Sequence, residues 1–163
     1  MHAEASAWVA RFATDDVLIG LEFGSRDING SIQGHFPNTV WTGVDIAEGP
    51  GCDIVADAST YQHPVPVDLL VCCEVFEHTA LWPEIVANSF HQLKSGGMAI
   101  FTAAGRGRGP HSAVDGCALR EDEWYENVDE YRFDQVLVLA GFVDIEVDWI
   151  AHPGDVRAFG RRP

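Results

Sequence analysis

The chain has 163 residues, the size of one domain, and its 47% hydrophobic and 21% charged residues exclude a disordered or membrane-embedded class. Asp and Glu total 25 against 10 Lys and Arg. The formal charge of -15 repels phosphate backbones and anionic membranes, so nucleic acid and membrane are disfavoured partners.

The longest apolar runs fall short of the roughly 18 residues that cross a bilayer. The opening Met1-His2-Ala3-Glu4 lacks the basic stretch of a secretory signal, so a cytoplasmic protein is expected. Cys52, Cys72, Cys73 and Cys117 have neither zinc-site spacing nor the density of a disulfide scaffold, and they read as reduced thiols.

Residues 3–12 set Ala7, Trp8 and Arg11 at helical spacing, which predicts a packing or lid helix within segment 1–16 of a single domain, residues 1–163. The apolar run 17–23, stopped by Gly24, reads as a strand buried on both faces. A turn over 24–30 and a short amphipathic stretch lead to a second strand over 39–45, completing a strand–helix–strand unit. A short third strand covers 53–56, Pro64 and Pro66 break the chain, and a fourth strand runs over 67–73.

From 82 to 93, Ile85, Val86, Ser89, Phe90 and Leu93 repeat at helical intervals, with Pro83 in the first turn and Gly96-Gly97 beyond the end. A fifth strand over 98–103, a Gly-rich loop over 105–116 and a helix over 131–140 capped by Gly141 follow. Two last strands, 143–149 and 156–160, flank the turn at His152-Pro153-Gly154-Asp155 and predict an antiparallel hairpin. The alternation predicts an α/β, doubly wound sheet with helices on both faces and its ligand at the carboxyl ends of the strands.

Four acids fall at or just after those ends: Glu22, Asp45, Asp57 and Glu74. Converging on one crevice, they suit a ligand with hydroxyls, an amine and a cation. A nucleoside bearing a sulfonium has all three.

In this register the chain resembles the class I S-adenosylmethionine-dependent methyltransferases from residue 17 to residue 160. Leu21-Glu22-Phe23-Gly24-Ser25 resembles the first motif, Thr42-Gly43-Val44-Asp45 the acid that grips the ribose, and Ala56-Asp57-Ala58 the acid that meets the adenine amine. Asp68 to Glu74 resembles the strand beside the methyl group, and Leu93-Lys94-Ser95-Gly96-Gly97-Met98-Ala99-Ile100 the turn into strand five. The resemblance implies a Rossmann-like seven-stranded sheet of order 3-2-1-4-5-7-6 with strand 7 antiparallel. It assigns S-adenosylmethionine to Glu22, Phe23, Gly24, Ser25, Asn29, Asp45, Ile46, Asp57, Ala58, Cys73 and Glu74. The sequence departs from the family at Arg26 and Ile28, where further glycines are frequent. Asn29 and Gly30 are the alternative source of a permissive turn.

Glu74, Glu77 and His78 stand at i, i+3 and i+4, and His111 lies beyond strand five. This resembles the metal-binding pattern of small-RNA 2′-O-methyltransferases and some quinone-pathway O-methyltransferases, which implies Mg or Mn on Glu74, Glu77, His78 and His111. Without a metal, His78 or His111 is the candidate general base. Alignment alone is a third route to methyl transfer. The expected activity is methyl transfer to an O or N of a small-molecule acceptor. The alternatives are a catalytically silent ligand- or protein-binding domain and a metal-assisted RNA 2′-O-methyltransferase. A nicotinamide oxidoreductase ranks lower because the turn lacks GxGxxG.

Overall fold

A computed structural model describes residues 2–163. Helix α1 (Ala3–Ala10) precedes strands β1 (Ile19–Phe23), β2 (Val40–Asp45), β3 (Ile54–Val55) and β4 (Val67–Cys73). Helix α2 (Trp82–Gln92), strand β5 (Leu93–Ala104), helix α3 (Glu130–Ala140) and strands β6 (Val143–Ile150) and β7 (Asp155–Arg161) follow, with 3-10 turns at Gln33–His35 and Phe76–His78. They form one sheet of order β3-β2-β1-β4-β5-β7-β6. The first five strands run parallel, and β7 lies antiparallel between β5 and β6, as expected.

Register explains why the acids meet. Glu22 sits opposite Gly43 of β2 and Val71 of β4, so the ends of these three strands share one rim. One sheet face packs Phe76, Trp82, Phe101 and Phe133 under α2 and α3, with ring centroids 5.5 to 5.8 Å apart across the group. The other face packs Leu69, Val71 and Ile100 against Trp8 and Val9 of α1 and against Ile32 and Phe36.

The expected strand–helix–strand unit is corrected here. Residues 24–39 carry a single 3-10 turn, Gln33–His35, and no α-helix. Gly30, Gly34 and Pro37 break the backbone run, yet Ile32 and Phe36 still reach the core. Helical cover is correspondingly thin between β1 and β4. Strand β1 starts two residues late, because Val17 is 82% exposed and outside the ladder. Strand β5 extends back to Leu93 through its pairing with Val67. Helix α3 begins at Glu130, because Asp129 accepts the backbone N–H groups of Tyr131 and Arg132, and Gly141 caps its end as expected. No helix of the described residues is long and apolar enough to cross a membrane.

Candidate functional site

The carboxyl ends of β1, β2, β3 and β4 open on a cavity of about 790 Å³, within the range of small-molecule sites. The turn after β1 forms its floor. Gly24 has φ +73°, and a Cβ there would lie 2.1 Å from Val75 Cγ2, so only glycine lets the chain turn against the β4 end. Ser25 Oγ beside it is buried with no hydrogen-bond partner among the described residues.

At the next strand end, Asp45 Oδ2 accepts from the Arg26 N–H at 3.1 Å and Oδ1 from the Ala47 N–H at 3.0 Å. Each oxygen keeps a lone pair for a ligand hydroxyl. Ile46 follows, 78% exposed and lining the cavity, an apolar ledge suited to a base ring. Asp57 closes an Asx turn through the Ser59 N–H at 2.8 Å and hydroxyl at 2.7 Å, both on Oδ1. Its Oδ2 has no side-chain or backbone bond among the described residues. Ala58 lies beside it in the cavity wall. Glu22 is buried against one donor, Gln33 Nε2 at 3.0 Å, and burial raises its carboxyl to about 7. The donors and acceptors therefore fit an adenosyl group with a cation beyond it.

Ten of the eleven residues assigned to the cofactor line this cavity. Phe23 does not. Its ring is fully buried in the α2 face of the core, since alternate residues of a strand point to opposite sides.

The fourfold metal set is also corrected. Glu74 takes a left-handed backbone, φ +58°, its N–H donates to the Thr102 carbonyl at 2.8 Å and its Oε1 accepts from the Thr102 hydroxyl at 2.8 Å. Its Oε2 turns to His2 Nε2 at 3.3 Å and Arg108 Nη2 at 3.7 Å, away from Glu77. Buried Asp155 joins them, 3.1 Å from His2 Nε2 and 2.5 Å from Arg108 Nη1. Hydrogen bonds to Asp155 and Glu74 raise His2 to about 10, and the two cations balance the two carboxylates. His2 and Glu74 keep the opposite charges this pairing favours, and Glu74 lies below the usual carboxylate range despite burial.

Glu77, His78 and His111 do come together, with one donor atom each inside a 4.8 Å sphere. Glu77 is fully buried, and neither carboxylate oxygen has a hydrogen-bond partner among the described residues. Burial and the nearby Glu74 charge raise it to about 8, against the pull of the backbone amides of Glu77 and Ala104. Burial and the neighbouring His111 hold His78 down at about 4, so its ring is neutral near pH 7. His111 turns Nδ1 to the Gly109 carbonyl at 3.1 Å and Nε2 toward Glu77 Oε1 at 3.8 Å. Tyr125 packs on both rings, with centroids 5.6 Å from His78 and 5.1 Å from His111.

Sequence reasoning did not select His2 or Asn88, and it read Arg108 only as part of a basic Arg106-Gly107-Arg108 stretch able to meet an anionic group. His2 and Arg108 are separated in sequence by 106 residues and carry no local motif. Asn88 left a trace, an amide four residues before Gln92 on the buried face of α2. Arg26 was noticed only as a departure from pattern.

No protein-family model matches this sequence, and no curated protein matches it. Solved structures do. Phosphoethanolamine N-methyltransferase 2 of Haemonchus contortus, in complex with S-adenosyl-L-methionine, superposes with a TM-score of 0.70 at 16% identity. It covers 98% of this chain, which spans 52% of that one, about half its length. The 1,6-didemethyltoxoflavin-N1-methyltransferase of Burkholderia thailandensis gives 0.71 at 16% identity over 98% of this chain and 76% of its own. The N-methyltransferase NodS of Bradyrhizobium japonicum, with S-adenosyl-l-homocysteine, gives 0.65 at 17% identity over 98% and 86%. The chain therefore has the class I methyltransferase fold.

Proposed function

We propose that this protein transfers a methyl group from S-adenosylmethionine to an O or N of a small-molecule acceptor. The observation that carries the reading is Asp45, at the end of β2, with both oxygens oriented by backbone N–H groups and open to the cavity. Asp45 takes the ribose, Ile46 lies under the base, and Asp57 with Ala58 meets the adenine edge. Glu22, Gly24, Ser25, Asn29, Cys73 and Glu74 surround the amino-acid part. Bound there, the cofactor would supply a methyl on a sulfonium as the electrophile, an acceptor heteroatom bonding to that carbon as its bond to sulfur breaks and the neutral thioether leaves. The surrounding acids favour that positive charge.

The acceptor enters beside His78, His111 and the loop over 105–116. His111 is the histidine whose geometry suits a proton acceptor. Its Nδ1–H directed at Gly109 leaves Nε2 free to take a proton, 3.8 Å from Glu77 Oε1. His78, at about 4, is too weak a base for that role near pH 7. The neighbours named above include enzymes that act on small molecules by their titles, which supports the acceptor class.

One observation favours a second reading. The unpartnered carboxylate of Glu77, with His78 Nδ1 also buried and unpartnered, is a donor set that fits a divalent cation such as Mg or Mn together with His111. Glu74, drawn to His2 and Arg108, would not join it.

Isothermal titration with S-adenosylmethionine and S-adenosylhomocysteine tests both readings. Micromolar binding is expected, weakened roughly tenfold or more by Asp45→Ala, the loss of a pair of hydrogen bonds to a charged group. Equal affinity for wild type and Asp45→Ala would overturn the assignment. Titration with manganese and a chelator, repeated on Glu77→Gln, decides the cation. Cofactor binding without turnover on any acceptor would point to a silent binding domain.

A further inference from the structure

Arg26 occupies a position of the first motif where the resembled family frequently has glycine, and its two ends do different work. Its backbone N–H donates to Asp45 Oδ2 at 3.1 Å. Its guanidinium Nη2 donates to the Ala113 carbonyl at 3.0 Å, 87 residues further along the chain. One residue thus touches both the acid assigned to the ribose and the loop assigned to the acceptor.

The arm is bedded rather than free. A Cβ added at Gly49 would lie 2.6 Å from Arg26 Cδ and 2.7 Å from Cγ, so the side chain lies directly on the 49–51 turn. That turn is fastened to the same segment by the Asp27 N–H, which donates to the Pro50 carbonyl at 2.7 Å. Arg26 Nε is buried without a hydrogen-bond partner among the described residues, so the Nη2 bond is directional and carries the polar contact of the arm.

The loop it reaches is fixed at its root and locally knotted at its tip. The Gly105 N–H donates to the Gly154 carbonyl at 2.8 Å, and Arg108 pairs with Asp155. At the tip, the Ser112 hydroxyl donates to Glu123 at 2.7 Å and the Gly116 N–H to the Ser112 carbonyl at 3.0 Å. Among the described residues, the Arg26–Ala113 bond is the hydrogen bond that joins this tip to the β1–β2 side of the cleft. Arg26, Ser112, Ala113 and Gly116 all line the cavity, so the bond spans it.

We propose that Arg26 is a positioning residue that latches the 105–116 loop across the cleft, so that loop closure and occupation of the Asp45 site stabilise each other. This rests on the reading of the cavity as an adenosyl site. With the latch closed, the ligand leaves only after the loop lifts, and with the ligand in place Asp45 and Arg26 are held in register. The coupling is reciprocal, as any linkage between two binding events must be.

Two readouts other than turnover test it. The loop carries Arg106 and Arg108, and Arg120 follows its tip, so trypsin reports its opening, and stopped-flow displacement reports release of S-adenosylhomocysteine. In Arg26→Ala, cleavage within the loop of the ligand-free protein should rise about tenfold, and the off-rate should rise by a similar factor with the on-rate little changed. Arg26→Lys, which keeps a donor, should recover part of both. Gly49→Ala, which displaces the arm without altering the guanidinium, should reproduce part of the loss and serves if Arg26→Ala does not fold. Wild-type cleavage and release rates in a folded Arg26→Ala would overturn the latch. If wild type does not bind S-adenosylhomocysteine, the cofactor reading and the coupling fall together. The ligand-free cleavage rate then still decides whether Arg26 holds the loop.

Discussion

Glu22, one residue before the end of β1, is 7% exposed with one hydrogen bond, from Gln33, and burial holds its carboxyl at about 7 against an ordinary 4.5. Between those values the folded chain keeps a proton that the unfolded chain has released. Stability therefore falls as pH rises from about 4.5 to about 7 and is level above, the opposite of a salt-bridged carboxylate. The shift sets an upper limit of about 3 kcal/mol on the loss. Glu22→Gln should flatten that slope, read as the urea midpoint at a series of pH values. If the slope survives the substitution, it belongs to Glu77, whose window runs to about 8. Glu74 shows another residue-level cost. Its left-handed φ of +58° is strained for a non-glycine residue, and the two bonds to Thr102 hold it there.

Between β3 and β4 this fold has a loop where a helix was not expected, and α2 supplies its order. Asn88 Nδ2 donates to the carbonyls of Ala58 and Tyr61 at 2.8 Å each, and its Oδ1 accepts from Gln62 and Gln92 at 2.9 Å each. Gln92 Oε1 accepts the His63 N–H at 2.8 Å. This buried network, not a helix, fixes Asp57 and Ala58 at the cavity edge. Asn88→Ala strands several polar groups and should cost about 2 to 4 kcal/mol, measured by urea unfolding. It should also weaken adenosine-containing ligands, and a stable variant with unchanged affinity would show that the loop orders itself. The elements legible in the sequence were those with strong local signals. Apolar runs marked β1, β4 and β5, the first and last of them stopped by glycine, Pro83 and the period of four marked α2, and acids at strand ends marked the rim. The helix expected before β2 failed because Ile32 and Phe36 have helical spacing while Gly30, Gly34 and Pro37 deny the backbone. The split of Glu74 from Glu77 was illegible because it depends on His2, Arg108 and Asp155, which only the tertiary fold brings together.

A chain of formal charge -15 carries a field that acts on ligands before any contact forms, and the acids at the strand ends concentrate it over the cleft. Such a field opposes an RNA acceptor, whose phosphates would have to approach Glu22, Asp45, Asp57 and Glu74. The same field can be isolated with two ligands. S-adenosylmethionine and S-adenosylhomocysteine offer the same ribose, base and amino-acid groups, and they differ by a methyl and one positive charge. Contacts common to both cancel in the ratio of their dissociation constants, and the methyl contributes a packing difference that salt hardly changes. The screening length shrinks from about 30 Å at 0.01 M salt to about 3 Å at 1 M. Raising salt across that range should therefore weaken the sulfonium ligand about threefold or more relative to the thioether, measured by parallel titrations. A ratio independent of salt would mean that the methyl group sits where nearby partners such as His2 and Arg108 have neutralised the acids, and that the charge on the chain governs its encounters with other macromolecules rather than the affinity of this site.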